Sequence, residues 1–84
     1  MKKRKLLRKI VSNPKNIRFK DLVSLAEAFG FHLERITGSH HIFSHKDITE
    51  IVNLQDAEGK AKPYQIRQLL KLVERYNLKL EDEQ

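Results

Sequence analysis

FKDLVSLAEAFG (residues 19–30) is followed directly by FHLERITGSHHIFSH (residues 31–45), and the change of period between the two decides the fold. In the first segment Phe19, Leu22, Val23, Ala26 and Phe29 fall at i, i+3, i+4, i+7 and i+10, the spacing of one helix face. Gly30 ends that helix: glycine supplies the left-handed C′ position, and Phe31 at C″ packs back on the last turn. The second segment has strand character. Residues 31–37 and 40–45 are β-compatible runs separated by Gly38 and Ser39, which predicts a hairpin. Ile48 to Gln55 predicts a third strand, with Ile51, Val52 and Leu54 inward or flanking.

Upstream, Leu6, Leu7, Ile10 and Val11 recur at helical spacing, so residues 2–12 read as a short amphipathic helix ending before the turn chemistry of Ser12, Asn13 and Pro14. Downstream, a polar loop (Asp56 to Lys62) leads to Pro63, a residue tolerated at the first position of a helix. Ile66, Leu69, Leu70, Val73 and Tyr76 then form an apolar stripe. The resulting order is α-α-β-β-β-α. It predicts an α+β fold in which helices cover one face of a three-stranded antiparallel sheet and leave the other to solvent or ligand. The end of the chain (Glu81, Asp82, Glu83) is expected to be a frayed acidic tail, spanning residues 77–84.

The chain has 84 residues, too few to divide its apolar side chains between two cores, so a single domain over residues 1–84 is expected, with its core at 19–76. Two-domain enzymes are excluded on that expectation. With 39% hydrophobic and 33% charged residues the composition is that of a folded, soluble protein. Cysteine is absent, which removes disulfides, thiolate metal sites and thiol nucleophiles and fits a reducing compartment, with the cytoplasm as the default. The net charge of +6 is unevenly placed. Residues 1–20 hold nine basic residues and no acid, and the remainder, with eight basic and eleven acidic, is net −3. An amino-terminal excess of this kind suits an anionic partner, nucleic acid above all, while a solvated helix face explains it equally well. The start resembles the basic end of a signal peptide, but Arg8 and Lys9 interrupt the apolar residues, and no run of 18 apolar residues occurs anywhere. Export and membrane spanning are therefore not expected.

Acid–base chemistry near neutral pH points to four histidines: His32, His40, His41 and His45. On a strand His40 and His41 point to opposite faces. His41 and His45 share a face but stand about 13 Å apart at roughly 3.3 Å per residue. One ion cannot bridge that gap, and no ligand spacing is present, so no metal is expected. There is also no lysine-bearing phosphate loop and no paired-carboxylate signature, which leaves histidine itself as the catalytic option. Lys60 and Lys62 precede the helix opened by Pro63, where no good side-chain cap stands, so free backbone N–H groups and two ammonium groups can meet a phosphate together. The competing explanation is a solvated loop.

Thr37-Gly38-Ser39-His40-His41-Ile42-Phe43 resembles the Gly-Ser-His-His motif of HicA-family toxins, small endoribonucleases of bacterial toxin-antitoxin pairs. Residues 19–30, 35–43 and 60–72 resemble that family's first helix, hairpin and closing helix, the motif being the specific part. The resemblance implies a fold similar to a double-stranded-RNA-binding domain, a HicB-type antitoxin partner and mRNA as substrate. It also implies that the second histidine of the pair, here His41, is catalytic, with Gly38, Ser39 and His40 as motif support. The implied chemistry is metal-free: His41 removes a 2′-hydroxyl proton and that oxygen attacks the adjacent phosphorus. Double-stranded-RNA-binding domains carry a lysine cluster like Lys60 and Lys62 at the corresponding helix start, and Arg35 and Lys46 are expected to extend the basic surface beside His41. If His40 and Ile42 face the helices, then His41, Phe43 and His45 share the open face; alternation alone leaves open which set is inward. His45 and His32 read as solvated. The helix at 2–12 is extra relative to the shortest family members, and Asn53 to Gly59 lacks a proline-arginine-histidine tract that many carry. Two other readings stand beside this one: a non-catalytic RNA-binding module using Lys60, Lys62 and the first helix, and a helix-turn-helix DNA-binding protein built from residues 2–29.

Overall fold

The elements run α1 (Lys3–Ser12), a 3-10 turn (Pro14–Asn16), α2 (Phe19–Ala28), β1 (His32–Thr37), β2 (His40–Ser44), β3 (Val52–Gln55) and α3 (Pro63–Arg75). They are those of a computed structural model, which describes residues 2–81. The fold is α+β, with one antiparallel sheet in the order β1-β2-β3.

Helix α2 stops where the sequence says it must. Gly30 has φ +94°, its N–H donates to Glu27 O at 3.0 Å, and Phe31 N–H donates to Ala26 O at 3.0 Å, which together make a Schellman motif. Phe31 is buried, so the chain re-enters the core as it leaves the helix. The hairpin turns on Gly38 at φ +61°, with Thr37 opposite His40. Glycine with positive φ at the first central position is what a two-residue II′ turn requires.

Register fixes the two faces. Leu33 pairs with Phe43, Ile36 with His41, and on the other side His41 pairs with Leu54 and Phe43 with Val52. Phe43, Val52 and Leu54 are buried under the helices with Leu22, Leu25, Ile66 and Leu69. His41 and Phe43 therefore lie on the helix-covered face, and His40 and Ile42 on the open one, the reverse of the conditional assignment that puts His41 on the open face. The reason is apolar content: the set containing Phe43, Val52 and Leu54 has the larger hydrophobic area to remove from water. A bulge between Leu33 and Arg35 adjusts β1 at this point.

Three further expectations are corrected. The third strand begins at Val52 rather than Ile48, and Ile51 is 61% exposed, while Ile48 packs against the core from the preceding loop. Val11 and Tyr76 are exposed and do not extend their helices' apolar stripes; Leu72 is buried and completes the stripe on α3. The segment after α3 is not frayed over its described part. Leu78 and Leu80 pack against the core, Glu81 N–H donates to Ala28 O at 2.8 Å, and Lys3 Nζ donates to Glu81 O. Asp82 and Glu83 lie outside the described residues.

The loop before α3 is tied to the start of α2. Phe19 N–H donates to Gly59 O at 2.8 Å and Ala61 N–H to Ile17 O at 2.9 Å. Buried Gln65 closes the β3 edge, accepting from Gln55 N–H at 2.7 Å and donating to Asn53 O at 3.4 Å.

Candidate active site

Three rigid elements hold the His41 ring. Strand β2 fixes its backbone between Ile36 and Leu54. Phe19, the first residue of α2, meets it edge-on with centroids 4.8 Å apart and planes at 63°. The Ser39 carbonyl lies 3.4 Å from its Nδ1. A carbonyl can only accept, so in the neutral ring this contact puts the proton on Nδ1 and the lone pair on Nε2. Among the described residues Nε2 has no hydrogen-bond partner. His41 is half-buried, braced by Phe19 and the Ser39 carbonyl.

Ser39 is fixed in turn. Its carbonyl accepts from Asp56 N–H at 2.8 Å, and its hydroxyl accepts from Gln55 Nε2 at 3.4 Å. The turn of the Gly-Ser-His-His stretch is thereby joined to β3 and the following loop, and Gly38 has open space around its Cα. His40 faces the other side of the sheet, where Nδ1 lies 3.0 Å from Asn53 Oδ1.

Of the expected cationic residues, the structure brings Lys60 to the His41 side. Lys60 forms an isolated backbone bridge with Arg18, the neighbour of Phe19, and its Nζ donates to Asn16 Oδ1 at 3.3 Å. Lys62 is the uncapped N-cap of α3. The expected set of free N–H groups there shrinks to one in the first turn. Pro63 has none, and Gln65 and Ile66 both donate to Lys62 O, at 2.9 and 3.3 Å, leaving Tyr64. Arg35 pairs with Ile42 and so belongs to the open face, and Lys46 lies beyond the far end of β2; neither stands beside His41.

His45 is not solvated. It is 6% exposed, accepts from Asp47 N–H at Nδ1 (3.0 Å), donates from Nε2 to Phe29 O (3.0 Å) and meets Phe31 edge-on with centroids 5.1 Å apart. It is a structural residue joining β2 to the end of α2. His32 is exposed, as expected. Among the described residues no three histidines or carboxylates gather into a metal-binding group.

Sequence reasoning misses two participants. Periodicity assigns Phe19 only to the core, although its place at the amino end of an apolar stripe is a signal that it borders the surface. Asp21 carries no motif that singles it out; it is buried, with Lys9 Nζ 3.2 Å and Arg18 Nε 3.3 Å from its Oδ2. Burial pushes its carboxyl pKa up, but the Lys9 hydrogen bond and charge, followed by Arg18, outweigh it and hold the group below its ordinary 3.8. Asp21 thus fastens α1 to the start of α2, next to Phe19.

The family model described as "HicA toxin of bacterial toxin-antitoxin" matches residues 19–74, from the first residue of α2 to the penultimate residue of α3, and leaves α1 and the last residues outside. No curated protein and no solved structure matches the chain. No helix among the described residues is long and apolar enough to cross a membrane. The match takes in more than half of the chain, including the hairpin with Gly38, Ser39, His40 and His41, and the chain belongs to the HicA family of toxins from bacterial toxin-antitoxin pairs.

Proposed function

We propose that the protein is a cytoplasmic endoribonuclease toxin that cleaves mRNA without a metal ion, using His41 as its one catalytic histidine, and that a HicB-type antitoxin restrains it. The observation that carries this reading is the unpartnered Nε2 of a ring whose other nitrogen, face and backbone are all held. A general base needs a lone pair, a fixed aim and access; the held ring supplies the aim, Nε2 has no partner among the described residues, and the half-buried residue keeps part of its surface in solvent. Nε2 takes the proton of a ribose 2′-hydroxyl, and the oxygen forms a bond to the adjacent phosphorus. The bond to the 5′-oxygen breaks, and that oxygen takes a proton from water. The products are a 2′,3′-cyclic phosphate and a 5′-hydroxyl. DNA lacks the nucleophile and is not cut. Lys60 and Lys62, with the Tyr64 N–H at the start of α3, supply charge for the phosphate.

The test is cleavage of single-stranded and structured RNA in EDTA beside His41→Ala. General-base catalysis contributes roughly 10²–10⁴-fold, and the variant should lose that much. Equal RNA survival with the two proteins sinks the catalytic reading. One observation favours the binding-module alternative: His40 is on the opposite face and His45 is buried, so no second histidine stands ready to protonate the leaving group. RNA binding that weakens with salt, without cleavage, selects it. The helix-turn-helix reading loses support because α2 spends Phe19, Asp21, Leu22, Leu25, Ala26 and Ala28 on the interior.

A further inference from the structure

We infer that the cleft between α1 and α2 is a second seat for the ribose-phosphate backbone of RNA, one that exists only because α1 is docked. The inference rests on the RNA-cleaving reading of His41 and extends its substrate footprint beyond the family-matched residues 19–74.

The cleft has a volume of about 380 Å³ and is lined by Leu6, Arg18, Lys20, Asp21 and Ser24. Its α1 wall is fixed by burial of Leu6 and Ile10 and by the Lys9–Asp21 ion pair. Lys5 is one helical turn before Lys9 on the same flank, since residues four apart are neighbours on a helix surface. Lys5, Arg18 and Lys20 are exposed and Lys9 is partly so. Arg18 and Lys20 thus line the cleft, and Lys5 and Lys9 flank it on α1, the helix that forms its other wall. Against them stands the Asp21 carboxylate, which is buried and already engaged by Lys9 and Arg18. Glu27, exposed two turns beyond Lys20 on α2, bounds the positive field on that side.

Position selects RNA as the occupant. Arg18 lines the cleft, the next residue, Phe19, touches the His41 ring, and Arg18 bridges to Lys60 on the other side. The cleft lining and the His41 contact thus fall on consecutive residues, Arg18 and Phe19, and a positive groove that tracks a backbone is how single strands are held without base reading. The hydroxyl of Ser24 and the small apolar surface of Leu6 suit a sugar between two phosphates.

The experiment uses the full chain carrying Lys5→Gln and Lys20→Gln together. Neither lysine makes an ion pair or side-chain hydrogen bond among the described residues, so the melting temperature should match that of the parent. Binding is measured in the His41→Ala background against a trinucleotide and an RNA of about 15 nucleotides. The longer probe exceeds the roughly nine nucleotides that the 31 Å long dimension spans at about 3.4 Å per phosphate. Each lost phosphate contact on a single strand removes about 0.7 from the slope of log K against log salt, so the slope should fall by about 1.4. Affinity for the long RNA at 0.1 M salt should drop about 25-fold, while the trinucleotide is bound as before. An unchanged slope and affinity for the long RNA overturns the inference, as does equal weakening for both probes or no RNA binding by the parent. If the long RNA is unaffected and polyglutamate binding is lost, the cleft serves an acidic protein instead. If the chain with His41 intact leaves RNA uncut while the slope change is seen in the His41→Ala background, this inference stands and the catalytic one falls.

Discussion

Replacing Gly30 by alanine tests how the end of α2, His45 and the segment at residue 81 are joined. At φ +94° a side chain is strained whatever surrounds it, by roughly 1–2 kcal/mol. The new Cβ would also stand 2.9 Å from His45 Nε2, with the Glu81 carboxylate closer still. Glu81 is the end of an exposed, flexible side chain and can swing away. His45 cannot move as easily: it is buried, and Nε2 is the atom that donates to Phe29 O. Displacing it leaves a buried donor and acceptor unpaired, which costs about 1–3 kcal/mol. The sum, about 2–5 kcal/mol, is a large share of the roughly 4–13 kcal/mol expected of a chain this size. The melting temperature should fall by at least about 10 °C. Gly38→Ala is the internal control, because Gly38 has φ +61° but nothing within 4 Å of the place a methyl group would take, so it carries the backbone strain alone. Urea unfolding followed by circular dichroism should rank Gly30→Ala below Gly38→Ala by about 1–3 kcal/mol. A difference under about 0.5 kcal/mol would refute the claim that the His45 hydrogen bonds brace this corner.

Two other perturbations separate further contributions. Ile10→Ala removes a fully buried side chain that docks α1, so it should destabilise by about 2–5 kcal/mol, whereas exposed Val11→Ala should stay within about 0.5 kcal/mol; equal effects in chemical unfolding would mean that α1 is not seated on the core. The Asp21 carboxyl titrates below its ordinary 3.8 in the folded state, so its stabilisation is complete above that value and is lost as pH falls through the lower, native titration. Wild type should therefore exceed Asp21→Asn in stability at neutral pH and converge with it in acid; a gap independent of pH down to the acid transition would show that Lys9 and Arg18 do not act through the charge.

Local rules suffice where one residue decides one feature. Gly30, Gly38 and Pro63 mark a helix end, a hairpin turn and a helix start from side-chain chemistry alone, and each stands where that chemistry requires. The α2 stripe is legible in Phe19, Leu22, Ala26 and Phe29 because 3.6-residue periodicity is a property of the chain itself. What depends on long-range partners is not legible. His45 resembles any strand-end histidine until the Phe29 carbonyl and Asp47 N–H arrive from two other segments. The segment at 78–81 looks like a polar tail until Ala28 and Lys3 receive it. For Arg35 and Lys46 charge is visible in the sequence but placement is not, since a bulge and the strand register decide the face of Arg35 and the end of β2 at Ser44 leaves Lys46 away from His41.

His41 shows most clearly why alternation cannot by itself locate a site on a sheet. Alternation equates a covered face with an inaccessible one, so it sends a candidate catalytic histidine to the open side. The sheet has a margin that this division omits. Across β2 from His41, Leu54 is fully buried; on the other side Ile36, on the same face, is 55% exposed. The helix cover ends between them, and His41 sits at that boundary. The covered side contributes Phe19 and a fixed ring orientation, the uncovered side contributes access, and the turn contributes the Ser39 carbonyl that directs the Nδ1 proton. On the open face the same side chain would have had solvent on both sides and a polar neighbour for a nitrogen, as His40 has in Asn53. For the general base proposed here, a ring held at the edge of a core suits the role better than one in the middle of a solvated surface, because catalysis by proton transfer depends on position before it depends on pKa.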